Sequence, residues 1–190
     1  MKTIKSKNLK EIITALKQGA VLVLPTDTVY GLVCDATNKK AVEKIFKIKK
    51  RSKAKSLPVF IKDLNMAKKY SVISKEQERT IKEKWPGAFT FIVKGKKGLS
   101  PLVYKKDTIA LRQPNCKLVL DMVKLLGKPL AQTSANNSDS PATTKIKEVK
   151  KYFENSKTYP DIILDFGNLQ KSKSSTIIDI TNNKINVLRK

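Results

Sequence analysis

The sequence predicts an α/β fold: a single domain over residues 1–190, with one twisted mixed sheet flanked by helices. Three observations carry that expectation. Short apolar runs such as AVLVL (20–24) and AFTFIVK (88–94) are interspersed with longer segments whose apolar residues recur at helical spacing. The interspersion lacks a strict strand–helix–strand repeat, which favours a mixed sheet over an all-parallel one. Hydrophobic residues are 40% and charged residues 29% of the 190, an ordinary balance for a chain large enough to bury a substantial core.

The elements follow in chain order. Leu9, Ile12, Ile13 and Leu16 share one helical face, with Gly19 as the stop. AVLVL is a buried strand. A helix over 39–50 carries Val42, Ile45, Phe46 and Ile48, and SLPVFI (56–61) is a strand. One or two helices fill 63–84; the charged, amphipathic SKEQERTIKEKW places Arg79 on the surface. AFTFIVK and TIALR (108–112) are strands. NCKLVLDMVKLLG (115–127) is a helix with Asn115 as N-cap and Gly127 as C-cap. PLAQTS (129–134) is a short strand, and a helix over about 143–153 follows, with Thr143 as a cap. DIILD, STIIDI and KINVLR close the chain as strands, the last two joined at TNN, and NLQKSKSST (168–176) reads as a mobile loop.

Composition excludes several chemistries. The chain has no histidine, so Ser-His-Asp and Cys-His arrangements are impossible, and there is neither a P-loop nor a Rossmann glycine fingerprint. Cys34 and Cys116 stand far apart and do not make a zinc site, so no metal ligand set is expected and both read as reduced thiols. No apolar run approaches the roughly 20 residues of a membrane span, so no membrane partner and a cytoplasmic location are expected. The net charge of +24 points to a polyanionic partner or to lysine bias on solvated surfaces. Only four residues are arginine, namely Arg51, Arg79, Arg112 and Arg189. A chain so sparing with arginine draws notice to the planar fork wherever it appears.

Polar clusters gather at predicted strand ends. Asp27, Thr28 and Tyr30 follow AVLVL; KIKKRSKAKS (47–56) lies between helix and strand; Arg112 ends TIALR; TSANNSDSPATT (133–144) and KSKSST (171–176) are crowded with hydroxyls. Each cluster alone is explained by turns, caps and solvated charge. Together they suit a crevice beyond strand ends, where hydroxyls hold a polar molecule and Lys or Arg hold phosphates.

PTDTVYGL (25–32), Lys49-x-Arg51, WPGAFTFIV (85–93), ALRQPN (110–115), TSANNS (133–138), SSTIIDI (174–180) and the closing VLR occur in one order over nearly the whole chain. This series resembles the YrdC family. The resemblance implies a YrdC-like fold with a basic concave cavity, and synthesis of threonylcarbamoyl-AMP from L-threonine, bicarbonate and ATP with release of pyrophosphate. ATP is then a substrate accompanied by Mg²⁺. The product serves the t6A modification at position 37 of ANN-decoding tRNAs through a separate threonylcarbamoyl-transferase complex, and tRNA itself is a candidate partner. By motif position, Thr28, Ala110, Ser134 and Ser175 would hold threonine. Arg51, Lys55, Thr108, Arg112, Asn136, Thr144 and Arg189 would hold ATP, with Lys49 and Arg51 as the catalytic pair. Departures are Ser52, Ser56, Asp139 and Phe60, the last standing where some members place a histidine near threonine. A chain ending at Lys190 looks like the short, single-domain form.

That chemistry needs no side-chain nucleophile, since positioning and cationic stabilisation suffice for nucleotidyl transfer. Asp27 is the one carboxylate at hand for proton transfer, and it serves equally to fix its loop. Two other readings compete: a non-catalytic double-stranded RNA- or tRNA-binding paralogue of the same fold, acting in RNA or ribosome maturation, and a hydrolase acting on a related adenylate or carbamoyl compound.

Overall fold

The apolar runs become strands of one continuous sheet in the computed structural model, which describes residues 1–4, 8–136, 140–182 and 185–190. In chain order the elements are β1 (Lys2–Ile4), α1 (Leu9–Lys17), β2 (Leu22–Leu24), β3 (Gly31–Asp35), α2 (Lys39–Lys49) and β4 (Val59–Phe60). Next come α3 (Leu64–Tyr70), β5 (Ser71–Val72), α4 (Lys75–Lys82), β6 (Phe89–Gly95), β7 (Tyr104–Lys105), β8 (Thr108–Arg112) and α5 (Lys117–Leu126). The chain closes with β9 (Leu130–Ser134), α6 (Ile146–Glu154), β10 (Ile162–Leu164), β11 (Thr176–Asp179) and β12 (Asn186–Arg189).

The main path of the sheet runs β1-β10-β2-β3-β9-β4-β8-β6-β11-β12, with β5 on β6 and β7 on β8 beside it. It is mixed: β1–β10, β10–β2, β4–β8 and β6–β11 are parallel, and the remaining pairs antiparallel. Period-2 alternation sorts its side chains between two apolar layers. Val23, Leu32, Cys34, Val59, Phe91, Val93, Ile109, Leu111 and Ile178 pack with α2, α4 and α6 on one face. Leu22, Leu24, Val33, Phe60 and Leu130 pack with α1 and α5 on the other.

The second layer stops partway across. Strands β8, β6 and β11 give Ile109, Leu111, Phe91, Val93 and Ile178 to the first layer and nothing to the second. Their opposite-pointing residues, among them Thr108, Ala110, Arg112, Thr90, Ile92 and Ile177, mix polar groups with apolar ones. Among the described residues no helix of the second layer reaches these strands, and their open face becomes the floor of the site.

Several expectations change. The segment 63–84 holds two helices separated by β5. SLPVFI narrows to Val59–Phe60, since Pro58 has no N–H to give a ladder. Asn115 does not cap α5: Cys116 is the N-cap without a side-chain bond, and the Asn115 N–H instead donates to Asp27 at 2.8 Å. Likewise α6 begins at Ile146 behind Lys145, while the Thr143 hydroxyl bonds the Glu148 carboxylate and accepts from the Lys145 N–H. Gly127 caps α5 as expected, at φ 70°. The TNN turn extends to Asn183, and Asn137, Ser138 and Asp139 belong to the TSANNS motif and its flank; these four lie outside the described residues.

Candidate active site

The turn between β2 and β3 forms one wall. The Thr26 hydroxyl donates to the Val29 carbonyl at 2.7 Å and accepts the Thr28 N–H at 3.0 Å. Its single proton is thereby spent, so in the 3.0 Å contact between the two hydroxyls Thr28 must be the donor. Arg112 Nη1 in turn donates to Thr28 Oγ1 at 3.2 Å. Thr28 therefore faces the cavity as an acceptor. Asp27 points away, bonding Arg112 Nη2 at 2.7 Å and the Asn115 N–H at 2.8 Å. It fixes the loop and the arginine together, and is committed to that task.

Arg112 ends β8 with 2% of its surface exposed. Its Nε donates to the Gly87 carbonyl at 3.0 Å, and its guanidinium lies 5.7 Å from the Phe60 ring centroid. Burial lowers its pKa first, with the Asp27 carboxylate opposing and Arg189 reinforcing. Phe60 thus underlies the site as part of its packed base, and is fully buried.

Two more arginines converge from loop and edge. Arg51, just past α2, donates Nε to the Lys55 carbonyl at 2.9 Å and Nη2 to the Ser56 carbonyl at 3.0 Å. Its pKa is lowered by burial and then by Arg189. Arg189 on β12 holds the Ser175 carbonyl through Nε at 3.0 Å and Nη2 at 2.7 Å, and burial lowers its pKa too. Ser175 Oγ meets Thr90 Oγ1 at 3.0 Å. Cations that depress one another's pKa are relieved by an incoming anion.

Lys49, the last residue of α2, turns inward and is only 3% exposed. Its ammonium donates to the Ser134 carbonyl (3.0 Å), the Asn136 carbonyl (2.7 Å) and Asn136 Oδ1 (2.5 Å). Ser134 Oγ also donates to Asn136 Oδ1 at 2.7 Å, and Asn136 Nδ2 reaches the Ser140 carbonyl. Desolvation first, and Arg51 second, bring the Lys49 pKa down to about 8.

These walls enclose two adjoining spaces. One of about 230 Å³ is lined by Thr28, Ala110, Arg112, Ser134, Ser175 and Arg189, with Arg51 and Thr133 at its border. The other, of about 300 Å³, is lined by Lys49, Arg51, Lys55, Thr133, Ser134 and Asn136. Arg51, Thr133 and Ser134 border both. No Asp or Glu lines either space among the described residues. Ten of the twelve residues singled out from sequence meet here. Thr108 and Thr144 line neither space: Thr108 Oγ1 donates to the Lys105 carbonyl at 2.8 Å, and the Thr144 carbonyl accepts from Leu169 N. The sequence reading missed Thr26, Gln132 and Thr133 as lining residues. Gln132 was findable, because it shares a strand face with Ser134 two residues on.

Fold and site together define an α/β protein with two adjoining cavities lined by hydroxyls, lysines and arginines over the open half of its sheet. The comparisons with known proteins agree. The Sua5/YciO/YrdC family model, whose description reads "Telomere recombination", matches residues 14–190. The threonylcarbamoyl-AMP synthase of Pseudoalteromonas translucida is 37% identical over 178 residues, covering 91% of this chain and 93% of that protein. The structure of P. abyssi Sua5 complexed with L-threonine superposes with TM-score 0.89 at 27% identity, over 99% of this chain; the chain spans 56% of that Sua5 chain. E. coli YciO superposes with TM-score 0.87 at 27% identity, covering 100% of this chain and 93% of its own. The chain belongs to the Sua5/YciO/YrdC family.

Proposed function

We propose that residues 1–190 act as one catalytic unit, a threonylcarbamoyl-AMP synthase using L-threonine, bicarbonate and ATP and releasing pyrophosphate. The observation that carries this reading is the shared border of the two spaces at Arg51, Thr133 and Ser134. A polar amino acid in the hydroxyl- and arginine-lined space and a triphosphate in the lysine- and arginine-lined one would meet across it. Relatives named threonylcarbamoyl-AMP synthase, and a Sua5 structure holding L-threonine, support the assignment.

Thr28 Oγ1 would accept from the threonine amine or hydroxyl, and Arg112, held by Asp27, would face its carboxylate. Carboxylation of the neutral amine by bicarbonate, with loss of water, would give a carbamate, whose oxygen attacks the α-phosphate as pyrophosphate leaves. Arg51, Lys55 and Arg189 would offset charge on attacking and leaving oxygens, the kind of preorganised stabilisation that dominates such reactions. Lys49 acts through the loop it holds: it keeps Ser134 and Asn136 in place. With no carboxylate on either wall among the described residues, Mg²⁺ would enter on the nucleotide phosphates. The product would pass to a threonylcarbamoyl-transferase complex acting on tRNA.

Incubation with ATP, Mg²⁺, bicarbonate and L-threonine should release pyrophosphate only when threonine is present. Release that ignores threonine, or none at all, would overturn the reading. The net charge of +24 favours one alternative, an RNA-binding relative of the same fold. In that case a tRNA transcript binds tightly while the pyrophosphate assay stays silent.

A further inference from the structure

A cavity larger than either site space lies away from the site, at the far end of the β6–β8 pair. It measures about 540 Å³ and is lined by the 95–99 turn, Pro101, Tyr104, Lys106 and Asp107. We infer that this groove docks an acidic peptide segment of a partner protein, one that carries an apolar anchor side chain between its carboxylates.

The floor is apolar and held in shape. Gly95 is required there, since a Cβ would come within 2.9 Å of the Tyr104 ring, which lies flush on the backbone. The Tyr104 hydroxyl donates to the Lys96 carbonyl at 2.5 Å. The Gly95 N–H donates to the Asp107 carbonyl at 2.7 Å and the Lys96 N–H to the Tyr70 carbonyl at 2.8 Å. Leu99 and Pro101 complete the apolar part. A groove fixed this way loses little conformational freedom on binding.

The rim is cationic. Lys96, Lys97 and Lys106 are exposed against a single carboxylate, Asp107. Among the described residues none of the three lysines forms an ion pair with a carboxylate; Lys96 Nζ is turned onto the Lys68 carbonyl at 2.9 Å. Charge complementarity therefore calls for an anionic partner. The apolar floor separates a peptide from a nucleic acid. Phosphate backbones ask for polar and cationic contact and bases ask for an open ring face, whereas here a face of Tyr104 is already packed on Gly95.

The groove shares no lining residue with the two site cavities. A partner seated here would leave the site mouth free, while β8, whose Thr108 hydroxyl bonds the Lys105 carbonyl beside the groove, connects the two.

The test uses fluorescence anisotropy on the full chain with three labelled probes: a synthetic peptide of six glutamates around one central leucine, the same peptide with glutamate replacing leucine, and a tRNA transcript. The leucine peptide should bind at least about fivefold more tightly than its all-glutamate counterpart. A double charge reversal, Lys97→Glu with Lys106→Glu, should weaken it about tenfold, the scale of two rim charges, with the melting temperature and pyrophosphate release unchanged. Equal binding of the two peptides would overturn the proposal as charge alone. So would affinity unmoved by the double variant, or a tRNA transcript displacing the leucine peptide from wild type but failing to bind the variant, which would make the groove a nucleic-acid site. Pyrophosphate release is read separately, so failure of the docking proposal leaves the synthase reading standing.

Discussion

Lys49 gives its three ammonium protons to three oxygens of residues 134–136, and desolvation brings its pKa down to about 8. A neutral amine has two N–H groups for those three acceptors, so one bond is lost on titration. Pyrophosphate release should therefore fall as pH rises past about 8, and Lys49→Arg, which keeps its proton, should lose that limb of the profile. Stability moves the other way. The folded pKa lies below the ordinary 10.5, so this group costs the folded state most below pH 8, and the cost fades as pH climbs towards 10.5. Asp27 offers a second test. Asp27→Asn leaves the buried Arg112 without its carboxylate, which should cost about 3 kcal/mol in urea unfolding and raise the KM for threonine. Arg51→Ala should lower kcat/KM by about a hundredfold or more without loss of fold, as removal of a charge-stabilising donor does. The arginines were legible because they are rare in a lysine-rich chain. Their mutual approach was not, since Arg51, Arg112 and Arg189 are separated by most of the sequence.

At the scale of elements, helix α2 is the one that aims the site. Asn38 caps it by accepting the Ala41 N–H at 3.1 Å, and the chain leaves it through Lys50 in the left-handed region at φ 49°. That exit turns Lys49 inward and sends Arg51 into the cavity wall. Asn38→Ala should destabilise the protein by about 1 kcal/mol, read as a shifted urea midpoint. The same element shows why some boundaries were visible and others hidden. Its apolar periodicity at Val42, Ile45 and Phe46 announces the helix, but a non-glycine left-handed exit leaves little trace in sequence. Strand β3 went unseen for another reason. All five residues of GLVCD are buried, so no alternation marks them, and the polar turn before them drew the eye. Asn115 looked like a cap because cap residues and loop residues share the same chemistry. Only the approach of Asp27 decided that its N–H points elsewhere.

For the molecule as a whole, the net charge of +24 raises the local concentration of anions around a site lined with cations. Raising ionic strength from about 0.05 to 0.5 M shortens the screening length several-fold. The KM for ATP should rise several-fold over that range, while the KM for threonine, a zwitterion, should change much less. Initial-rate measurements at both salts check this. The open half of the sheet explains why so large a charge can act at one place: β8, β6 and β11 lack a helical cover on one face, and the arginines gather over it.

The sequence by itself determined most of the elements and the inventory of the site, because helical and strand periods and residue chemistry are local properties that neighbours in the chain express. It also determined that catalysis here must proceed without histidine. Tertiary structure decided which groups face one another. Asp27 meets Arg112 across 85 positions, Lys49 reaches Asn136 across 87, and Thr108 ends outside both cavities. Such pairings depend on sheet order and on where a helical layer stops. Both are set by the packing of distant segments against each other, and no stretch of the chain records them alone.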